Sequence, residues 1–72
     1  MNIRKSIAIA TAQKEMKPRE YLLKTGFSPA KMSLIKNGKQ KVTDSDLRAM
    51  ASAVGMKASE FIALGEDNER MD

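Results

Sequence analysis

Residues 26–41 read GFSPAKMSLIKNGKQK, and the way this stretch folds decides the rest of the chain. Gly26, Ser28 and Pro29 open it as a turn-forming set. Ser28 suits the N-cap of a helix that begins at Pro29: a hydroxyl accepts one of the orphan N–H groups there, and proline has no N–H to strand. Met32 and Ile35, three residues apart, give that helix an inward edge. Asn37-Gly38 ends it after about two turns, because both residues tolerate positive φ. Lys36, Lys39 and Lys41 load its exit with positive charge.

Upstream, Pro18 fits the first position of a preceding helix that runs through Tyr21 and Leu22 to Thr25, with Gly26 as its stop. Before that, Ile3, Ile7, Ala10 and the stem of Lys14 fall at helical spacing, so residues 3 to 14 form the first helix; Ile9 lies off the stripe and is expected to be exposed. Downstream, Thr43-Asp44-Ser45-Asp46 is the clearest cap in the chain. Thr43 accepts the N–H three residues on, and the acids at 44 and 46 suit the positive end of a helix dipole. Leu47, Met50, Ala51 and Val54 then make an apolar stripe closed by Gly55. A last short helix is expected from about Ala58 to Leu64, with Phe61 inward and Gly65 as its stop. No internal repeat, strand alternation or low-complexity tract appears. The expected fold is all-α: five short helices in one domain over residues 1–65, then an acidic, flexible tail over 66–72.

A domain of 72 residues buries only about 60% of the surface its unfolded chain exposes. Without cysteine or histidine it has neither a disulfide nor a zinc site to help, so tight helix packing or self-association must hold it. The net charge of +4 is uneven: residues 1–65 carry twelve basic against five acidic side chains, and the segment from Glu66 onward four acids against Arg70. A body at +7 attracts polyanions, nucleic acid first among them. The apolar run from Ile7 to Ala12 is too short for the core of a secretory signal, and no segment approaches the roughly 20 apolar residues of a membrane span, so a cytoplasmic location is expected.

Two helices separated only by Gly26 to Ser28 must meet at a wide angle, which is the helix-turn-helix signature, and in that motif the second helix enters the DNA major groove by its N-terminal residues. Here a resemblance becomes specific. Residues 16–62 resemble the core of the lambda-repressor-like helix-turn-helix family, the group of phage Cro and CI repressors and related bacterial regulators. Gly26, Ser28, Met32, Ser33, Ile35, Asn37-Gly38-Lys39, Leu47, Ala51, Gly55, Glu60 and Phe61 stand where the family places those residues or close equivalents, and "IKNGK" and "AxAVG" carry most of the likeness. Three positions depart from the pattern. Lys17-Pro18 replaces a usual Ser or Thr followed by Gln, Leu22 replaces a usual Ala between the two helices, and Lys36 with Thr11 replaces a usual acid–base pair.

The resemblance implies that Pro29, Ala30, Lys31, Ser33, Leu34 and Gln40 face base edges. It places Lys17, Lys36, Asn37, Lys39 and Lys41 at phosphates. It further implies a homodimer formed through Met56, Ala58, Ile62 and Leu64. Pro29, Ala30 and Leu34 carry no side-chain donor or acceptor, so they can only touch thymine methyls or exclude water, and recognition is expected to lean on thymine contacts and DNA shape.

The expected function is that of a sequence-specific double-stranded DNA-binding transcriptional regulator of the Cro type. It would act as a repressor on a pseudo-palindromic operator in a bacterial host cell, at the nucleoid, with no cofactor, metal, membrane or small-molecule ligand. The same five helices also serve antitoxins and restriction-system controller proteins, and a protein-interaction module that has lost DNA binding is a further alternative. An enzyme is not expected: there is no His or Cys, no Gly-rich phosphate loop and no carboxylate pair in a cleft.

Overall fold

In the computed structural model of the chain the described residues are 2–70, with side chains described from Asn2 to Glu66. Five α-helices follow one another: α1 (Ile3–Gln13), α2 (Pro18–Thr25), α3 (Pro29–Lys36), α4 (Asp44–Ala53) and α5 (Ala58–Arg70). No strand occurs among the described residues.

The starts are set by side chains. Asn2 Oδ1 accepts from the Lys5 N–H at 3.1 Å, Ser28 Oγ from the Lys31 N–H at 3.1 Å, and Thr43 Oγ1 from the Asp46 N–H at 3.1 Å. Asp46 Oδ2 accepts in return from the Thr43 N–H at 3.3 Å, completing a capping box. Before α5, the Lys57 N–H donates to Glu60 Oε1 at 3.0 Å.

The stops share one device. At the ends of α1, α3 and α4 a residue with left-handed backbone lets two successive N–H groups turn back on the last carbonyls. After α3 the Gly38 N–H donates to Ile35 O and the Lys39 N–H to Leu34 O; after α4, Gly55 and Met56 do the same to Ser52 O and Ala51 O. Gly38 and Gly55 both have φ of 69°. Asn37, which the sequence suggested could share this conformation, stays at φ −90°. At the end of α1 the left-handed residue is Glu15, at φ 52°. The residue after each turn then takes one of two courses. Met16 and Met56 fold onto the core, whereas Lys39 stands out in solvent.

The core collects Ile3, Ile7, Ala10, Tyr21, Met32, Ile35, Met50, Ala51, Ala53, Val54 and Phe61, with Leu22, Phe27, Val42, Leu47 and Leu64 packed around it. α1 lies chiefly on α5, α4 on α5, α2 on α4, and α3 on α1. Tyr21 is 2% exposed, and its hydroxyl donates to Met50 O at 3.0 Å. The Val54 N–H, four residues on, goes to Ala51 O, so the tyrosine reaches a carbonyl in the loosening last turn of α4. Burial pushes the Tyr21 phenol well above its ordinary range, which keeps that donor protonated.

Three expectations need correction. The first helix ends at Gln13, and Lys14 is exposed instead of adding its stem to the buried stripe. Ile9 is half-buried, not exposed. Most consequential, Gly65 does not stop the last helix: α5 runs through it to Arg70. Gly65 is buried where α5 crosses the start of α1, and a Cβ there would run into the Asn2 carbonyl oxygen and lie 2.8 Å from Ser6 Oγ. A glycine following an apolar stripe reads as a C-cap from sequence; here its missing side chain lets two helix backbones approach. Of the acidic tail, residues 71 and 72 and the side chains of 67–70 lie outside the described residues.

Asp46 joins α3 to α4. Its Oδ1 accepts from Lys31 Nζ at 2.8 Å, and the Lys31 ammonium also sits 4.5 Å from the centre of the Phe27 ring. The Lys31 hydrogen bond, helped by the Thr43 amide and hydroxyl, holds the Asp46 carboxyl below the usual aspartate range against an opposing effect of burial. A depressed folded-state pKa contributes stability that is complete above the unfolded value of about 3.9 and is lost as pH falls through the folded value. Asp46→Asn is therefore expected to lower the melting temperature near neutral pH and to narrow its gap to wild type steadily below about pH 4. Thermal melts by circular dichroism across that range check this; a gap that stays constant with pH would mean that the carboxylate charge is idle.

Candidate functional site

The α2–turn–α3 segment carries the candidate residues. Three residues, Gly26 to Ser28, connect the helices, and Gly26 makes the reversal at φ 76°. α3 is two-sided in the sense its sequence sets: Met32 and Ile35 are buried at 6% and 3% exposure, while Pro29, Ala30, Ser33 and Leu34 face solvent. Leu34 is 41% exposed. Asn37 is exposed just past the helix, its Nδ2 donating to Ser33 Oγ at 3.4 Å, so the two side chains stand together on the outer face.

Of the other residues assigned to base edges, Gln40 is half-buried, and Lys31 is half-buried with its ammonium engaged by Asp46 and Phe27. Among the expected phosphate ligands, Lys17, Asn37, Lys39 and Lys41 are exposed and Lys36 is half-buried. Of the dimer residues, Met56 and Leu64 pack against the chain's own core, and Ala58 and Ile62 are half-buried.

Three adjoining grooves lie on the α1 and α2 sides of α3. The first, about 440 Å³, runs between α2 and α3 and is lined by Arg4, Pro18, Arg19, Leu22, Pro29, Met32, Ser33, Lys36 and Asn37. A second of about 480 Å³ passes the exit of α3 toward α1, among Asn2, Ile3, Arg4, Ile35, Lys36, Gly38, Gln40, Lys41 and Val42. The third, about 270 Å³, lies between α1 and α2 and is bounded by Arg4, Ile7, Ala8, Thr11, Pro18, Tyr21 and Lys36. None of these linings contains an Asp or Glu.

Arg4 and Arg19 were not expected at the site from sequence. Both are exposed and line the first groove. Arg19 directly follows the unusual Lys17-Pro18 pair, so its neighbourhood was a usable signal. Arg4 is distant in sequence from α3, and only the packing of α3 on α1 brings it there. No helix among the described residues is long and apolar enough to cross a membrane. No family model matches this chain, and no curated protein or solved structure matches it either.

Proposed function

We propose that this protein is a sequence-specific double-stranded DNA-binding regulator of transcription, with α2 and α3 as its helix-turn-helix and α3 as the groove reader. One observation carries the reading. On its α1 and α2 sides, α3 is flanked by cationic grooves without a single acid in their linings. A helix of this length offers an outward N-terminal half to base edges while flanking cations meet the backbone.

On this reading Pro29, Ala30 and Leu34 touch thymine methyls, and Ser33 and Gln40 supply the hydrogen-bonding contacts. Lys31 reaches a base only by leaving Asp46, so it serves first as the strut that holds α3 against α4. Lys17, Lys36, Asn37, Lys39 and Lys41 contact phosphates, joined by Arg19. A single short helix reads too few base pairs to select one site among genomic competitors, so two copies on a pseudo-palindrome, with recognition helices about 34 Å apart, fit the task. Ile62 and Ala58, less committed to the core than Met56 and Leu64, are the candidates for the contact between copies. Repression by occupying a promoter, as in Cro-type proteins, is the mechanism that goes with this reading.

Selection of binding sites from random duplex DNA tests the proposal directly. Enrichment of a two-fold symmetric motif is expected; no enrichment, together with no retention of any duplex at low ionic strength, would refute it. Leu34→Glu sharpens the test. Its exposed position leaves the fold intact, while a carboxylate on the reading face repels the backbone. Affinity for the selected duplex is expected to fall at least about tenfold, or about 1.4 kcal/mol, with an unchanged melting temperature.

A further inference from the structure

We propose that Arg4 of α1 and Lys36 of α3 together form a phosphate-binding site at the junction of the three grooves, receiving one backbone phosphate of a duplex laid across α3. The inference rests on the DNA-binding reading and extends its footprint to a helix outside the reading unit.

Arg4 and Lys36 are the two residues shared by all three grooves. They come from opposite ends of the domain's first half, brought together by the packing of α1 on α3. Neither makes a hydrogen bond or ion pair through its side chain among the described residues, in contrast to Lys31, whose ammonium is taken by Asp46. The neighbouring Thr11 hydroxyl is already spent on Ile7 O at 2.7 Å, so it offers no competing charge or donor. Two cations that line the same grooves with no acid in the linings repel each other, and an anion placed there relieves the repulsion.

The chemistry favours phosphate. A guanidinium presents a planar fork of donors to two oxygens, and an ammonium supplies a point charge beside it. A duplex backbone is the better source than a free phosphate compound, because the cations continue in two directions. Arg19 borders the groove on one side of the junction and Lys41 the groove on the other. A chain of phosphates uses such a seam, whereas a single ion uses only its centre.

The test is the salt dependence of binding to a short random-sequence duplex, for wild type and for the double variant Arg4→Gln with Lys36→Gln. The slope of log K against log salt is expected to become shallower by about 0.9, the value for one phosphate that the protein no longer neutralises. Lys57→Gln, an exposed cation beyond the grooves, is expected to leave the slope alone, and Arg4→Lys with Lys36→Arg to preserve it. Should the double variant melt early, Arg4→Gln alone carries the test, since Arg4 is exposed. A wild-type protein that binds the duplex with a slope the glutamines do not change would overturn this site while leaving the DNA-binding reading in place. If wild type ignores the duplex altogether, that reading fails, and titration with pyrophosphate decides the site. Amide NMR shifts centred on residues 4 and 36, absent from the double variant, would keep it as a site for free phosphate compounds. Their absence from wild type would end it.

Discussion

Phe61→Ala is expected to remove most of the domain's margin against unfolding. Phe61 is fully buried, on the helix that receives both α1 and α4. Truncating such a ring costs about 3–5 kcal/mol, from lost transfer energy and from the cavity that remains. Total stabilities start near 5 kcal/mol, and without cysteine there is no disulfide to add to this core. The variant should therefore populate unfolded chains at physiological temperature. Urea titration is the measurement: a midpoint that falls sharply at constant m-value is expected, and a midpoint within the error of wild type would show that the ring is not the keystone of this core. DNA binding would weaken as well, but in proportion to the folded fraction. Leu34→Glu should behave in the opposite way, with affinity falling at least about tenfold and melting unchanged.

Gly65→Ala is the second large effect, and its sign is informative. Inside an exposed helix this change stabilises by up to about 1 kcal/mol, because glycine has more backbone freedom to lose. Here the new methyl group would meet the Asn2 carbonyl, which is backbone and cannot rotate away, as well as Ser6 Oγ. Overpacking of this kind costs roughly 1–3 kcal/mol and outweighs the propensity gain. The melting temperature is expected to fall by about 4–8 °C for each kcal/mol of net loss. Ser6 is fully buried and its hydroxyl has no hydrogen-bond partner among the described residues, so Ser6→Ala should itself be well tolerated. It should not rescue Gly65→Ala, because the Asn2 carbonyl stays where it is. A thermal melt in which Gly65→Ala is more stable than wild type would mean that α1 and α5 do not cross this closely.

The same two residues show what could be read from the sequence. Phe61 was expected inward on the short helix from about Ala58, and it is core. Four of the five helices were legible to within a residue: α1 from the spacing of Ile3, Ile7 and Ala10, and the others because their ends are written locally, in Pro18, in Ser28-Pro29, in Thr43 with Asp46, and in Gly26, Gly38 and Gly55. Gly65 misled because a glycine after an apolar stripe has two uses, and only the partner helix distinguishes them. At the candidate site, the exposure of Pro29, Ala30, Ser33 and Leu34 followed from Met32 and Ile35 facing inward. The tie from Lys31 to Asp46, fifteen residues apart, and the approach of Arg4 to α3 did not follow, because periodicity says which face is buried and not what stands opposite it.

Asp46 meets two demands with its two oxygens and a third with its backbone: it accepts from the Thr43 amide, draws in the Lys31 ammonium, and gives its own N–H to the Thr43 hydroxyl. Asparagine surrenders the charge and serine cannot span both partners, whereas glutamate keeps both, as Glu60 does for the Lys57 amide before α5. In a saturation library grown under selection for folded protein, codon 46 should keep to aspartate and glutamate, while codons 45 and 48 on either side drift freely.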